Sequence, residues 1–237
     1  MFTVLWDNDG VLVDTEGLYF RATKIVLAKV DVLLTAQQFK QISLRDGMST
    51  FKLAEERGIG GDEVARLRRE RDRVFSDFLR AECPVIPGAK EALRALHGKV
   101  RMGVVTSSSR EHFEIAHARS GLTEYMDFIL TREDYEQTKP HPEPYLTAIR
   151  RHGLDRSKCI VVEDSERGLA AATAAGLNCL VVLSQLTADG EFRTARKVLT
   201  DISAVPGEVL GMADPQSTLR DGRQRHSGQT NDIPAKR

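Results

Sequence analysis

Cysteine, net charge and long apolar runs are all scarce in this chain, and each shortage removes a class of protein. Three cysteines, Cys83, Cys159 and Cys179, stand far apart. An odd, scattered set excludes a disulfide framework or a zinc site of closely paired thiols and fits a reducing cytoplasm. Lysine plus arginine (34) equal aspartate plus glutamate (34), so no overall field draws the chain to nucleic acid or to an anionic membrane. Any affinity for phosphate has to be local. No apolar stretch approaches the roughly 20 residues that cross a bilayer. The opening MFTVLW gives way to acidic residues at once, so neither a signal peptide nor a membrane span is expected.

What is present suits an enzyme. A chain of 237 residues can bury a substantial core. Short β-branched runs alternate with longer stretches of helical period, which predicts the α/β class with a parallel sheet. Strands are expected at residues 3–6, 102–106, 128–130, 160–163 and 180–183. Between the first two lies an interval too long for a simple crossover, with apolar positions at helical spacing such as Leu18, Ile25, Val64, Leu67, Val74 and Phe78. It predicts a helical insertion over residues 15–87 in a core formed by 1–14 and 88–212, hinged near Asp14 to Gly17 and Pro84 to Gly88. Residues 213–237 are polar and lack a period, as a loose tail would.

Chemistry concentrates where the strands end, and ligands of open parallel sheets bind there. The first strand ends in Asp7-Asn8-Asp9-Gly10. Alternation along an extended chain turns Asp7 and Asp9 to one pocket and Asn8 away. Two such carboxylates are costly without a shared cation or proton. Taken alone, the same letters also read as a polar turn. Thr106, Ser107 and Ser108 close the second strand, where a hydroxyl and backbone N–H groups can hold a phosphoryl oxygen or merely cap a helix. Lys139 sits in the stiff loop Thr138-Lys139-Pro140-His141-Pro142, and Glu163-Asp164 end a further strand. Adjacent carboxylates in a buried place suit Mg2+, a hard ion.

In that order the motifs resemble the haloacid dehalogenase superfamily, and with DGVLVDTE, KPHPEPY and the early helical insertion they are most similar to its β-phosphoglucomutase-like branch. The likeness covers about residues 1–205. It implies a Rossmann-like core with a helical cap. It further implies Asp7 as the nucleophile that becomes an aspartyl-phosphate, Asp9 as acid and base, and Thr106 and Lys139 as grips on the phosphoryl group. Magnesium would be held by Asp7, the backbone carbonyl of Asp9, Asp164 and Glu163. Dehalogenases and phosphonatases lack the aspartate found here at Asp9, which leaves phosphatase or mutase. A sugar phosphomutase has an arginine shortly after a cap glycine, where this chain has Thr50 after Gly47. Arg45 is the candidate to bind substrate from another direction.

The expected activity is therefore magnesium-dependent hydrolysis of a small phosphorylated metabolite, in particular a sugar phosphate, by a cytoplasmic monomer. A phosphomutase and a noncatalytic phospho-receiver domain are the rivals. The arginine-rich run Arg66 to Arg73 carries interleaved acids and reads as a solvated helix rather than a nucleic-acid site. His112, His117 and His141 lack metal-ligand spacing and read as surface or packing residues. Cys159 and Cys179 read as small core residues.

Overall fold

The computed structural model describes residues 1–82 and 84–213. Cys83 and, apart from Ala213, the expected tail lie outside the described residues. Six parallel strands form one sheet in the order β3-β2-β1-β4-β5-β6. They are β1 (Thr3–Trp6), β2 (Arg101–Val105), β3 (Phe128–Leu130), β4 (Cys159–Glu163), β5 (Asn178–Val182) and β6 (Lys197–Leu199). The class is α/β, as expected, and five strands fall within two residues of their sequence positions. The short edge strand β6, with its exposed Lys197 and Val198, gave no apolar signal.

Alternation explains how the sheet buries both faces. Val4, Trp6, Met102, Val104, Ile160, Val162, Leu180 and Val182 turn one way. There they meet α5 (Ala89–Leu96), Phe113 of α6 (Arg110–His117) and α9 (Val205–Ala213). Leu5, Val105, Val161, Cys179 and Val181 turn the other way, against α7 (Glu143–His152) and α8 (Glu166–Ala174). Cys159 also belongs to that second buried face. A strand covered on both sides cannot show a polar alternation, so these segments read as continuous apolar runs.

Between β1 and β2 the chain forms α1 (Glu16–Ala28), α2 (Ala36–Phe39), a π-helical turn (Lys40–Arg45), α3 (Lys52–Glu55) and the long α4 (Gly61–Ala81). These helices have their own core, including Val26, Leu27, Phe39, Phe51, Val64 and Leu67. A second cluster joins Leu18, Ala22, Phe75 and Leu79 to Ala116 of α6. The two crossings between insertion and sheet run side by side: Asp14 N donates to Pro84 O at 2.8 Å and Ile86 N to Leu12 O at 3.0 Å. Among the described residues no helix is long and apolar enough to cross a membrane.

Because β1 lies between β2 and β4, chain leaving it can be met from both sides. Successive strands diverge from this point, and it is the crevice where ligands of such sheets bind.

Candidate active site

Asp7 N donates to Val162 O at 2.9 Å, so the β1–β4 pairing runs one residue past the strand and fixes the Asp7 side chain. The turn that follows gathers the N–H groups of Val11, Leu12 and Val13 on the carbonyl of Asn8. Gly10 makes this turn at φ +82°, and a Cβ there would lie 2.1 Å from Asp164 Oδ2. Glycine thus supplies a left-handed residue and the space Asp164 occupies.

Lys139 commits its ammonium fully. Nζ donates to Asp7 Oδ1 at 2.7 Å, to Val105 O at 2.9 Å and to Glu163 Oε1 at 2.7 Å. The same Oε1 accepts from the Tyr145 hydroxyl at 2.6 Å, and Oε2 accepts from Ser165 Oγ at 3.2 Å. Glu163 is wholly buried, and its carboxyl rests where a side chain on Gly168 would be, 1.8 Å from that missing Cβ. Asp7, Glu163 and Asp164 each bring an oxygen within 4.8 Å of the others.

Two buried carboxylates share one ammonium with a third close by, and the proton affinities of Asp7 and Asp164 record the crowding. Burial, then Glu163, push Asp7 up to about 7 against the pull of Lys139. Asp164 is held well above the carboxylate range by burial and by Glu16 and Asp7. Burial works against the charge on Lys139, but Asp7 and Glu163 outweigh it and raise its pKa. Such a group gains from a cation, and its all-oxygen donors and the room left by Gly10 fit a small hard one.

Asp9 belongs to a different set of partners. Its Oδ2 accepts from Ser108 Oγ at 2.8 Å and Thr106 Oγ1 at 3.0 Å, while Oδ1 accepts from Thr15 Oγ1. Asp7 and Asp9 therefore do not share partners, although Asp9 is near enough to raise the pKa of Asp7. Asn8 points elsewhere, as expected: its Oδ1 lies 2.7 Å from Nε2 of the buried His117, whose Nδ1 meets Ser120 Oγ at 2.9 Å. Burial lowers His117 to about 4 despite Asp9, so it is a neutral packing residue at ordinary pH.

Two residues expected at the substrate have partners within the protein. Thr106 does not offer a free hydroxyl: it donates to Asp9 and accepts from Ser108 N at 3.0 Å. Ser107 does line the open cleft beside Asp9. Arg45 is turned out of that cleft, because the π-helical turn aims it at Glu166 (3.6 Å) and Asp189 (3.2 Å), where it and Lys40 tie the insertion to the sheet domain.

Residues that spacing missed complete the cleft. Glu16, at the start of α1, is raised to about 8 by burial and by Asp9, Asp7 and Asp14, although part of its side chain meets solvent. Arg167 donates to Ser43 O at 3.3 Å and to Lys139 O. Tyr145 could have been suspected, as a tyrosine at a helical core position with a hydroxyl to satisfy. Arg167 follows Glu163-Asp164-Ser165-Glu166 and is hidden in an ordinary helix start.

The haloacid dehalogenase-like hydrolase family matches residues 4–182. A phosphorylated carbohydrates phosphatase from Thermotoga maritima is 30% identical over 221 residues, 90% of this chain and 98% of that protein. Fructose-1-phosphate phosphatase YqaB from Escherichia coli is 26% identical over 182 residues, 76% of this chain and 95% of its own. The crystal structure of a CbbY variant from Rhodobacter sphaeroides in complex with xylulose 1,5-bisphosphate superposes with a TM-score of 0.73 at 25% identity, covering 86% of this chain and 96% of that one. With that family match over most of its length, a six-stranded parallel sheet, and Lys139 reaching from the loop before α7 to the acids at the strand ends, the chain belongs to the haloacid dehalogenase-like hydrolases.

Proposed function

We propose that this hydrolase is a magnesium-dependent phosphatase of small phosphorylated metabolites, sugar phosphates in particular, with Asp7 as nucleophile. One observation carries the reading: the Asp7 carboxylate is pinned by the Lys139 ammonium and stands beside the buried carboxylate of Asp164. The relatives named above as sugar-phosphate phosphatases support it.

Lys139 fixes one oxygen of Asp7, and the other attacks phosphorus. The new Asp7 O–P bond forms as the ester P–O bond breaks, giving an aspartyl-phosphate. Asp9, released from the hydroxyls of Thr15, Thr106 and Ser108, gives its proton to the departing alkoxide. It then takes a proton from the water that cleaves the O–P bond, so phosphate leaves and Asp7 is restored. Asp7, Asp164, the Asp9 carbonyl and Glu163 would hold magnesium, which supplies charge to offset that on the phosphoryl oxygens. Glu163 serves first to hold Lys139, since both of its oxygens already accept hydrogen bonds.

Residues 15–87 act as a lid over a core of 1–14 and 88–212, excluding bulk water during transfer. Phosphate release from a panel of esters, with magnesium and then with EDTA, tests the reading. Asp7→Asn is expected to abolish turnover while leaving the fold intact by circular dichroism. Near-normal rates in that variant would remove Asp7 as nucleophile, and failure to turn over any ester would favour a receiver-type domain.

A further inference from the structure

We infer that Tyr135 and Tyr145, which flank Lys139 on the same stretch of chain, are positioning residues: their hydroxyls fix two of the three oxygens that share the Lys139 ammonium and so aim it at the third, on Asp7. The inference rests on the phosphatase reading above, which makes Asp7 the nucleophile, and adds how that nucleophile is held in line.

An ammonium has three protons to give. Those of Lys139 go to Asp7 Oδ1, Val105 O and Glu163 Oε1. Its place is therefore the point on which three oxygens converge, and a shift of any one of them moves the bond to Asp7. Two of the three lie within reach of a tyrosine hydroxyl from the lysine's own segment.

Tyr145, at the start of α7, is wholly buried in the cluster that holds Leu5, Val105, Leu130 and Val161. Phenylalanine would pack there as well, so the hydroxyl answers to something other than packing. It donates to Glu163 Oε1 at 2.6 Å, the same oxygen that Lys139 meets, while the ring lies 5.2 Å from Nζ. A donor on a buried carboxylate is worth more than one between neutral groups. Here it meets part of the demand of Glu163 and pins its position. Without it the carboxylate is free to close on the ammonium and draw it away from Asp7.

Tyr135 acts at the end of β2. Thr106 N still continues the sheet by donating to Leu130 O at 3.0 Å, but the next ladder bond is missing, because Arg132 N donates to Ser108 O at 2.9 Å instead. The Tyr135 hydroxyl fills that gap by donating to Thr106 O at 2.5 Å. It thereby fixes the peptide next to the one whose carbonyl, on Val105, accepts from Lys139.

The loop between the tyrosines keeps its course without either hydroxyl. Arg132 donates to Tyr135 O at 2.8 Å and Glu136 O at 3.1 Å, and Glu143 accepts from Glu136 N at 3.0 Å and Gln137 N at 2.8 Å. Removing a hydroxyl should change the aim of Lys139 and leave the fold.

The test is steady-state kinetics of the full chain with magnesium and p-nitrophenyl phosphate. Tyr145→Phe is expected to lower kcat about tenfold, on the order of one hydrogen bond to a charged group, with KM within about twofold. In a Glu163→Gln background the same change should cost less than about twofold, because both groups act through one carboxylate. Tyr135→Phe works through β2, so its loss of about threefold should persist in that background. Tyr125→Phe, whose ring packs on His97, should leave kcat unchanged. Circular dichroism and thermal melts confirm that each variant is folded. A Tyr145→Phe variant within about twofold of the parent, or one whose loss is the same in both backgrounds, overturns the inference. If the parent hydrolyses no ester, the phosphatase reading falls, and beryllofluoride with magnesium, which mimics a phosphoryl group on an aspartate, decides the positioning by calorimetry. Binding about tenfold weaker in Tyr145→Phe than in the parent supports it, and equal binding, or none in either, overturns it.

Discussion

At the sheet end of the cleft Asp7 and Glu163 share one ammonium with Asp164 close beside them, whereas beneath the helical insertion three arginines, Arg68, Arg71 and Arg167, line a cavity whose wall, among the described residues, holds no carboxylate. The acidic end is built from residues at strand ends, each held by main-chain register or by a glycine that clears its place. The basic end is built from long side chains on α4 and α8, elements of two different layers. Fixed backbone is what bond-breaking demands, since positioning errors of an ångström are expensive there. Recognition tolerates reach and adjustment. The contrast also explains why burial perturbs the two ends in opposite directions: it makes the acids hold protons and makes Arg167 release one more readily.

The hardest blow to this contrast is Lys139→Met. It removes the ammonium that Asp7 and Glu163 share, so kcat/KM should fall by at least about 10²-fold, and the stability of the metal-free protein should drop by about 3–5 kcal/mol, the cost of breaking a buried pair. Urea unfolding in EDTA and a phosphatase assay check both. A variant within tenfold of the parent would mean that chemistry does not reside at this end.

Gly168→Ala is a gentler probe. Its Cβ would overlap Glu163, which must shift and loosen its hold on Lys139. A fall of about tenfold in kcat, with a stability loss of about 1–3 kcal/mol, is expected, while KM stays within about twofold. A raised KM with kcat intact would show that the ends are not separable in this way.

The smallest effect concerns Glu16. Its folded pKa, about 8, lies above the ordinary 4.5, so between these values the unfolded chain gives up a proton that the folded chain keeps. This carboxylate therefore favours folding at low pH and ceases to do so as pH climbs through about 8. In EDTA, Glu16→Gln should gain on the parent between pH 5 and pH 8, each kcal/mol appearing as about 2–4 °C in Tm. Paired melts at the two pH values decide it, and a gap that stays constant or narrows would contradict the assignment.

Much of the acidic end was legible in the sequence, because a parallel sheet gathers its strand ends at one edge whatever the loops do between them. Asp7, Glu163 and Asp164 come together for that reason, and Lys139 reaches them from the loop before α7. Partner choice was not legible. Asp9 went to Thr15, Thr106 and Ser108 because hydroxyls surround it once the turn after Asn8 closes. Arg45 was lost because a π-helical turn changes the direction of its last residue, and a pattern of 3.6 residues gives no warning of one. Arg71 did leave a trace, a charge on an apolar stripe, which a reading of Arg66 to Arg73 as one solvated run conceals. Arg167 left none, since its partners, Ser43 and Lys139, lie in two separate earlier segments.

The paired crossings at Leu12 to Asp14 and Pro84 to Ile86 carry a further implication for how such a protein can change. The seventy-odd residues between them begin and finish as hydrogen-bonded neighbours, so the sheet perceives the whole helical unit as little more than a wide hairpin loop. Exchanging that unit for another would alter which molecules are admitted while Asp7, Lys139, Glu163 and Asp164 stay on the sheet domain. Diversification of specificity then requires a graft at one seam, with no redesign of the chassis.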